Sequence, residues 1–428
     1  MRVSRRASDW LELVRTPVGR ERIARHIRVR AWPLYRGAAG LHRRLVLRGT
    51  PVVAVVGTFG KSTTARALRL ALNGDPGSER APNSFTRLAR VVLRARPRHG
   101  VLVAEAGIDA PGQMRSYARM LRPDLVVVTS VGSEHHRSLG TLERTRDEKA
   151  EMVRSLGPDQ TVFLNGDDEN VGWMATQTRA RIVRFGRAPH HDVVAERVEL
   201  DWPHGTRLAI RMGDESLELR VRLLGEKMAY PILAALAVAR ALGRPREEVA
   251  RALEALTPMP GRLETVALPN GAFLVRDDFK SALETIDAAL DVMEAIPARR
   301  KWIVMGDVSE PPGSQGPIYR RIGERMGRIG ARVITVGHAH SPLAAGYVRS
   351  GHARAGIRLA AGSAEAARML DEELDDGDVV LVKGRDTQKL DRVSLRLQGM
   401  AVGCELAYCD VSWRCASCPM RERGFQAR

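Results

Sequence analysis

The residues best suited to chemistry in this 428-residue chain stand at one strand–helix junction. Val52-Val53-Ala54-Val55-Val56 is an apolar, mostly β-branched run that predicts a buried strand, and Ser62 to Leu72 predicts a helix. Between them lies Gly57-Thr58-Phe59-Gly60-Lys61-Ser62-Thr63, a glycine loop closing on Gly-Lys-Ser. Such a loop lets backbone N–H groups close around phosphate oxygens, and the helix N-terminus adds its partial positive charge. Lys61 would reach the terminal phosphates of a nucleotide, and the Ser62 hydroxyl would sit on Mg²⁺. Val55 occupies the place of the first glycine in the common pattern, so the motif is the shorter Gly-x-x-Gly-Lys-Ser.

The elements that must position these groups follow an alternating pattern. Val101–Gly107, Asp124–Ser130, Gln160–Asp168 and Arg181–Gly186 read as further strand-forming runs, with helical patterns between them. This implies a parallel sheet covered on both faces, with polar strand ends lining a ligand crevice. Glu105, Ser130 and Asn165 stand at such ends. From about residue 192 to 224 the alternation changes to a small antiparallel patch, and Tyr230 to Leu242 reads as an alanine-rich helix. Two prolines and a glycine in Thr257-Pro258-Met259-Pro260-Gly261 mark a boundary. A second alternating unit follows, with strands at Phe273–Arg276, Lys301–Met305, Arg332–Val336 and Val379–Val382. The expected architecture is α/β: a basic helical segment (1–49), a P-loop-type parallel-sheet ATPase domain (50–260), a smaller Rossmann-like α/β domain (261–402) and a cysteine-rich tail (403–428).

Composition narrows the class. The net charge is +18, yet only seven of the 68 basic residues are lysine, a chain-wide arginine bias that argues against a dedicated nucleic-acid patch. Residues 1–50 hold 13 arginines against Asp9, Glu12 and Glu21, interleaved with Trp10, Leu11, Ile23, Ile27, Trp32 and Leu34. That segment suits an anionic membrane surface, a protein partner, or packing on the main body. No apolar run approaches the ~20 residues of a membrane helix. The N-terminus lacks the apolar stretch of a signal peptide, so the cytoplasm is the expected compartment. Cys404, Cys409, Cys415 and Cys418 are the only cysteines, spaced x₄, x₅ and x₂. Four thiols in a reducing compartment suit Zn²⁺, an iron–sulfur cluster, or free thiols.

Seven short motifs in order resemble the Mur ligase family of ATP-dependent amide ligases, over roughly residues 50–397. They are the Gly57–Thr63 loop, Ala104-Glu105-Ala106-Gly107, Thr129–His135, Arg146–Glu151, Asn165-Gly166-Asp167-Asp168, Pro260-Gly261-Arg262, and the pair Met305-Gly306-Asp307 and Val382-Lys383-Gly384. The last pair resembles the D-alanyl-D-alanine-adding branch. The resemblance implies that ATP converts a carboxylate to an acyl phosphate, which an amine then attacks. It implies that Gly57, Thr58, Gly60, Lys61, Ser62 and Thr63 hold the phosphates, with Asn165 and Asp278 also on the nucleotide. Ser62 and Glu105 would bind one Mg²⁺ and His135 a second; Lys149 would be carbamylated; Arg262 would aim at the γ-phosphate from a hinge; and Lys280 and Lys383 would face substrate. Plainer readings are a solvated helix face for Lys149, a turn cap for Asn165 and a surface loop for Lys383.

Two features depart from the family. Pro231 stands where relatives carry an adenine-contacting asparagine, and about 50 arginine-rich residues stand where they carry a UDP-sugar domain. A ligase acting on a small-molecule carboxylate and an amino acid or peptide is therefore the leading expectation, with a peptidoglycan-type precursor as the conventional substrate. The alternatives are a Mur-like ligase for a non-UDP substrate, such as a poly-amino acid or other peptide, and a nucleotide-binding partner protein without turnover.

Overall fold

The computed structural model describes residues 17–73, 85–133, 139–311, 313–411 and 413–424. Val52–Val56 is strand β1, with all five side chains buried. Val53 and Val55 point into one core and Val52, Ala54 and Val56 into the other, the two-fold alternation of a strand covered on both faces. Two helices precede it, α1 (Pro17–Arg30) and α2 (Trp32–Leu45), and α3 (Lys61–Asn73) follows. The chain continues through α4 (Phe85–Arg94), β2 (Leu102–Glu105), α5 (Gln113–Leu121), β3 (Leu125–Val128), α6 (Leu142–Arg154), β4 (Thr161–Asn165), α7 (Glu169–Trp173) and β5 (Arg181–Gly186). Strands β6 (Val193–Asp201), β7 (Gly205–Met212) and β8 (Glu215–Val221) come next, then helices α8 (Ala229–Ala241) and α9 (Arg246–Glu254).

These strands make one eight-stranded sheet, β2-β1-β3-β4-β5-β6-β7-β8. The antiparallel stretch is not a separate patch, as its alternation suggested. β6 pairs in parallel with β5 at Phe185–Val193 and Gly186–Val194, and β7 and β8 extend the same sheet in antiparallel fashion. Alternation reports one solvated face, and an outer strand of a large sheet has that too. The alanine-rich α8 is buried along nearly its whole length, packed on α3 and the sheet, which explains its lack of a polar side.

A second, six-stranded sheet has the order β13-β12-β11-β14-β10-β9. Its elements are β9 (Glu264–Ala267), β10 (Phe273–Asp277), α10 (Leu283–Ala295), β11 (Lys301–Met305), α11 (Gln315–Arg328), β12 (Arg332–Val336), α12 (His340–Arg349), β13 (Ile357–Ala360), α13 (Ser363–Asp371), β14 (Val379–Lys383) and α14 (Asp391–Leu397). All neighbours are parallel except β9, which is antiparallel to β10. Among the described residues no helix is long and apolar enough to cross a membrane.

The basic leader packs on the main body through Ala39, Trp32 and Tyr35, which join its core, and through one buried arginine. Arg43 of α2 is buried and donates to Leu121 O (2.9 Å), Arg122 O (3.1 Å) and Asp124 Oδ2 (2.9 Å). The same carboxylate oxygen accepts from Val52 N at 2.8 Å, so one guanidinium ties α2 to the start of β1 and β3. Another side of α2 leaves Leu34, Leu41 and Leu45 exposed, seven and four residues apart on a single helical stripe. Arg43→Leu removes the donors from three carbonyls, those of Leu47, Leu121 and Arg122, and from a carboxylate, at a cost of about 2 kcal/mol by the price of unsatisfied buried groups. Urea unfolding followed by tryptophan fluorescence should show the lower midpoint.

Candidate active site

The loop after β1 is shaped by a close approach to the end of β3. Gly57 has φ +141°, and a Cβ there would overlap Thr129 Oγ1 and lie 2.9 Å from Ser130 N. Only glycine combines that conformation with that proximity. Thr58 N donates to Ser130 O (2.8 Å), Gly132 N to Thr58 Oγ1 (2.9 Å) and Phe59 N to Ser130 Oγ (2.8 Å). Gly60, at φ +77°, turns the chain into α3, whose first turn has N–H groups without intrahelical partners. Lys61 is buried and its Nζ donates to Thr58 O at 2.8 Å, folding the ammonium over the loop. Thr63 is buried beside it.

Ser62 Oγ donates to Glu105 Oε1 at 3.0 Å, bringing the end of β2 to the mouth of the loop. A hydroxyl and a carboxylate at one point are hard-oxygen donors of the kind Mg²⁺ takes alongside phosphate oxygens and water. Among the described residues no three His, Cys, Asp or Glu side chains stand together as a ready ligand set. His135, the other expected metal ligand, lies outside the described residues.

Lys149 sits in α6 with 1% exposure, so it does not belong to a solvated face. Its charged neighbours do the surface work: Glu148 accepts from Gly112 N and Met114 N, both at 2.9 Å, and Glu151 pairs with Arg115 at 2.7 Å. Asn165 is also buried; its Nδ2 donates to Thr129 O (2.9 Å) and its Oδ1 accepts from Asp167 N (3.2 Å), bracing the end of β4 against that of β3. Asp167 contacts His191 Nε2 (3.0 Å) and accepts from Tyr230 Oη (3.0 Å). Burial pushes its carboxyl up, but donors from Arg187, His191 and Tyr230 outweigh that and hold it below the usual range. Tyr230 adjoins Pro231, the position the family comparison singled out, and sequence reasoning passed it over.

The turn between the two sheets, where a hinge is expected, runs through two left-handed residues, Gly261 (φ +71°) and Leu263 (φ +46°). Gly261 N donates to Glu264 Oε2 (3.0 Å), Leu263 N to Asp277 Oδ1 (3.3 Å) and Phe279 N to Gly261 O (3.2 Å). The Arg262 guanidinium lies 4.8 Å over the Phe279 ring. Asp278 has no exposed surface and is ion-paired to Arg414 of the tail, with Ser394 Oγ at 3.1 Å and Arg276 Nε at 3.5 Å. Both its carboxylate oxygens face protein donors, so in this conformation it braces the hinge and does not present itself to a nucleotide.

Lys383 is not in a surface loop. It has 1% exposure and donates to Asp277 Oδ2 (2.6 Å), Thr285 Oγ1 (3.1 Å) and Lys280 O (2.5 Å). Burial pushes the Asp277 carboxyl up and the Lys383 ammonium down, and their contact opposes both shifts. Lys280 enters this cluster through its backbone carbonyl. Glu284, absent from the sequence reading, joins the two sheets: Oε1 accepts from Ser133 N (2.8 Å) and Oε2 from Ser133 Oγ (3.1 Å). In sequence it is only an acidic residue in a first helical turn, a commonplace. Nearby, a cavity of about 230 Å³ opens at the carboxyl ends of β11, β12 and β14, lined by Asp307, Glu310, Tyr319, His338 and Arg385. Glu310 holds φ +47°, and its Oε2 is buried without a hydrogen-bond partner.

Comparison with known proteins places this geometry. Residues 55–239 match the Mur ligase middle domain and residues 261–385 the Mur ligase glutamate ligase domain. UDP-N-acetylmuramoyl-tripeptide–D-alanyl-D-alanine ligase of Mycobacterium bovis is 29% identical over 381 residues, covering 83% of this chain and 74% of that enzyme. The enzyme of that name from Bacillus subtilis is 24% identical, with 81% and 75% covered. Among solved structures, MurF from Acinetobacter baumannii superposes with TM-score 0.75 at 19% identity, covering 86% of this chain and 80% of that one. MurF from Thermotoga maritima, solved in complex with ADP, gives 0.74 at 21%, covering 86% and 84%. The mixed α/β architecture and the two consecutive domain matches agree: the chain belongs to the Mur ligase family.

Proposed function

We propose that this protein is an ATP-dependent acid–amino-acid ligase that forms an amide through an acyl phosphate, acting in the cytoplasm on a peptidoglycan-type precursor. The observation that carries the reading is the Ser62–Glu105 contact at the mouth of the Lys61 loop. It would supply a cation site where β- and γ-phosphates would lie. Phosphoryl transfer needs positioning and charge neutralisation more than covalent help. The Gly57–Thr63 backbone and Lys61 would cradle the phosphates, and Ser62 and Glu105 would hold Mg²⁺, which neutralises charge as the γ-phosphoryl moves. The substrate carboxylate oxygen attacks that phosphorus and ADP leaves. The amine then attacks the acyl carbon, loses a proton and expels phosphate.

The amine would come from the second sheet. The 230 Å³ cavity combines Asp307 and Glu310, suited to an ammonium, with Arg385, suited to a carboxylate. A zwitterionic amino acid or dipeptide has both groups. The names of the relatives make a UDP-muramyl tripeptide and D-alanyl-D-alanine the first pair to try. A carboxylate outside that class is the second reading.

Phosphate release from ATP should require both a carboxylate and an amine. Lys61→Ala should reduce it by a factor on the order of 10²; release indifferent to this change, or to omission of either substrate, would sink the ligase reading. Glu105→Gln should raise the Mg²⁺ concentration for half-maximal activity about tenfold, with a smaller effect on the amine KM. Glu310→Gln should do the opposite, raising the amine KM about tenfold by loss of a charge-assisted contact and leaving the Mg²⁺ dependence in place.

A further inference from the structure

The tail turns back across α14, and all four cysteines line one small cavity of about 10 Å³ together with Lys389, Arg392 and Arg421. That is room for about one water-sized body. All four are free thiols, with Cys404 and Cys415 buried. The cations around them are the second observation. Arg392 has 1% exposure and its Nε stands 3.4 Å from Cys415 Sγ. Arg421, about a fifth exposed and ion-paired to Glu422, has a buried Nε with no hydrogen-bond partner. Among the described residues Arg392 bonds only the Cys415 sulfur and Leu406 O, so neutral thiols give its buried guanidinium no counter-charge, and an uncompensated buried cation is costly. Four thiolates around a divalent ion carry two negative charges and would supply it.

The same tail reaches the hinge. It is fastened by Cys409 N to Thr387 O (2.8 Å), Cys415 N to Asp391 Oδ2 (2.8 Å), Arg392 Nη1 to Leu406 O (2.6 Å), and Lys389 Nζ to Val411 O (2.8 Å) and Trp413 O (3.2 Å). Arg414, directly before Cys415, pairs with Asp278 and lies 5.6 Å over the Phe279 ring, the ring that Arg262 also covers. A Cβ at Gly261 would run into both Asp278 Oδ1 and the Arg414 guanidinium, so the tail presses directly on the hinge turn.

We propose that Cys404, Cys409, Cys415 and Cys418 bind one zinc ion, and that this centre clamps Arg414 onto Asp278 at the hinge between the two sheets. Tetrahedral coordination by four sulfurs is the arrangement of structural zinc sites. No three of the sulfurs already stand at ligand spacing, so binding draws them inward by side-chain rotation and releases the thiol protons.

The test uses the full chain, purified under reducing conditions without a histidine tag. Elemental analysis should find one zinc per chain, and X-ray absorption at the zinc edge should find four sulfurs at about 2.3 Å. Hydrogen exchange in a peptide spanning residues 257–264 should rise about threefold or more when zinc is stripped with a chelator and return on adding zinc alone. Arg414→Gln should retain the zinc and show the faster hinge exchange. Metal-free wild-type protein, two disulfides by mass, or iron in place of zinc would overturn the centre. Hinge exchange unmoved by both zinc removal and Arg414→Gln would overturn the clamp. None of these readouts needs turnover, so they stand apart from the success or failure of the ligase reading.

Discussion

The constraint on which the rest depends is the missing side chain at residue 57. With no Cβ there, the loop after β1 can lie against Thr129 and Ser130, and three hydrogen bonds from Thr58, Phe59 and Gly132 lock the two segments together. Lys61 and Ser62 are then presented at the top of the sheet, beside Glu105 on the next strand over. Asn165 adds a fourth strand end to the same braced rim by bonding Thr129 O. Four parallel strands thus share one set of end contacts. Rigid strand ends can hold oxygen donors to the tolerance that phosphate and Mg²⁺ require.

The second half of the site depends on a different kind of contact. The two sheets meet at a turn made from left-handed residues, at one bidentate carboxylate, Glu284 on Ser133, and through apolar packing: Leu224 is buried in the core of the second sheet and Trp202 meets the Phe273 ring edge-on at 5.3 Å. The Lys383–Asp277–Thr285 cluster and the Asp278–Arg414–Ser394 cluster flank the turn, so the hinge is braced by buried charge on both sides.

Most of the strands, their parallel character and the Gly-Lys-Ser loop were legible in the sequence because they depend on local runs: β-branched residues, glycine spacing and strand-end carboxylates. The extension of the main sheet by β6 was not, because alternation describes which face is wet and says nothing of which neighbour a strand pairs with. Asp278 and Arg414 lie 136 positions apart, and Glu284 meets Ser133 across 151. No local pattern encodes such pairs. The family resemblance placed Asp278 on the nucleotide, and the partner that occupies it comes from the far end of the chain.

The net charge of +18 invites a nucleic-acid reading, but the arginine bias behind it resolves into a division of labour. Arg43, Arg392 and Arg414 use the wide planar fork to bridge several acceptors at once, tying a leader helix and a tail to the two sheets. Lysine persists where a fork would not fit. Four of the seven lysines, Lys61, Lys149, Lys383 and Lys389, have exposures of 6% or less. Lys61 closes over one carbonyl of the loop, Lys383 fits between a carboxylate, a hydroxyl and a carbonyl, and Lys389 reaches two carbonyls of the tail. A compact ammonium on a thin stem fits such spaces, and these four buried lysines each mark a tightly built site. Three of those markers, Lys61, Lys149 and Lys383, fall in the motifs shared with the family, and the fourth stands where the tail is anchored.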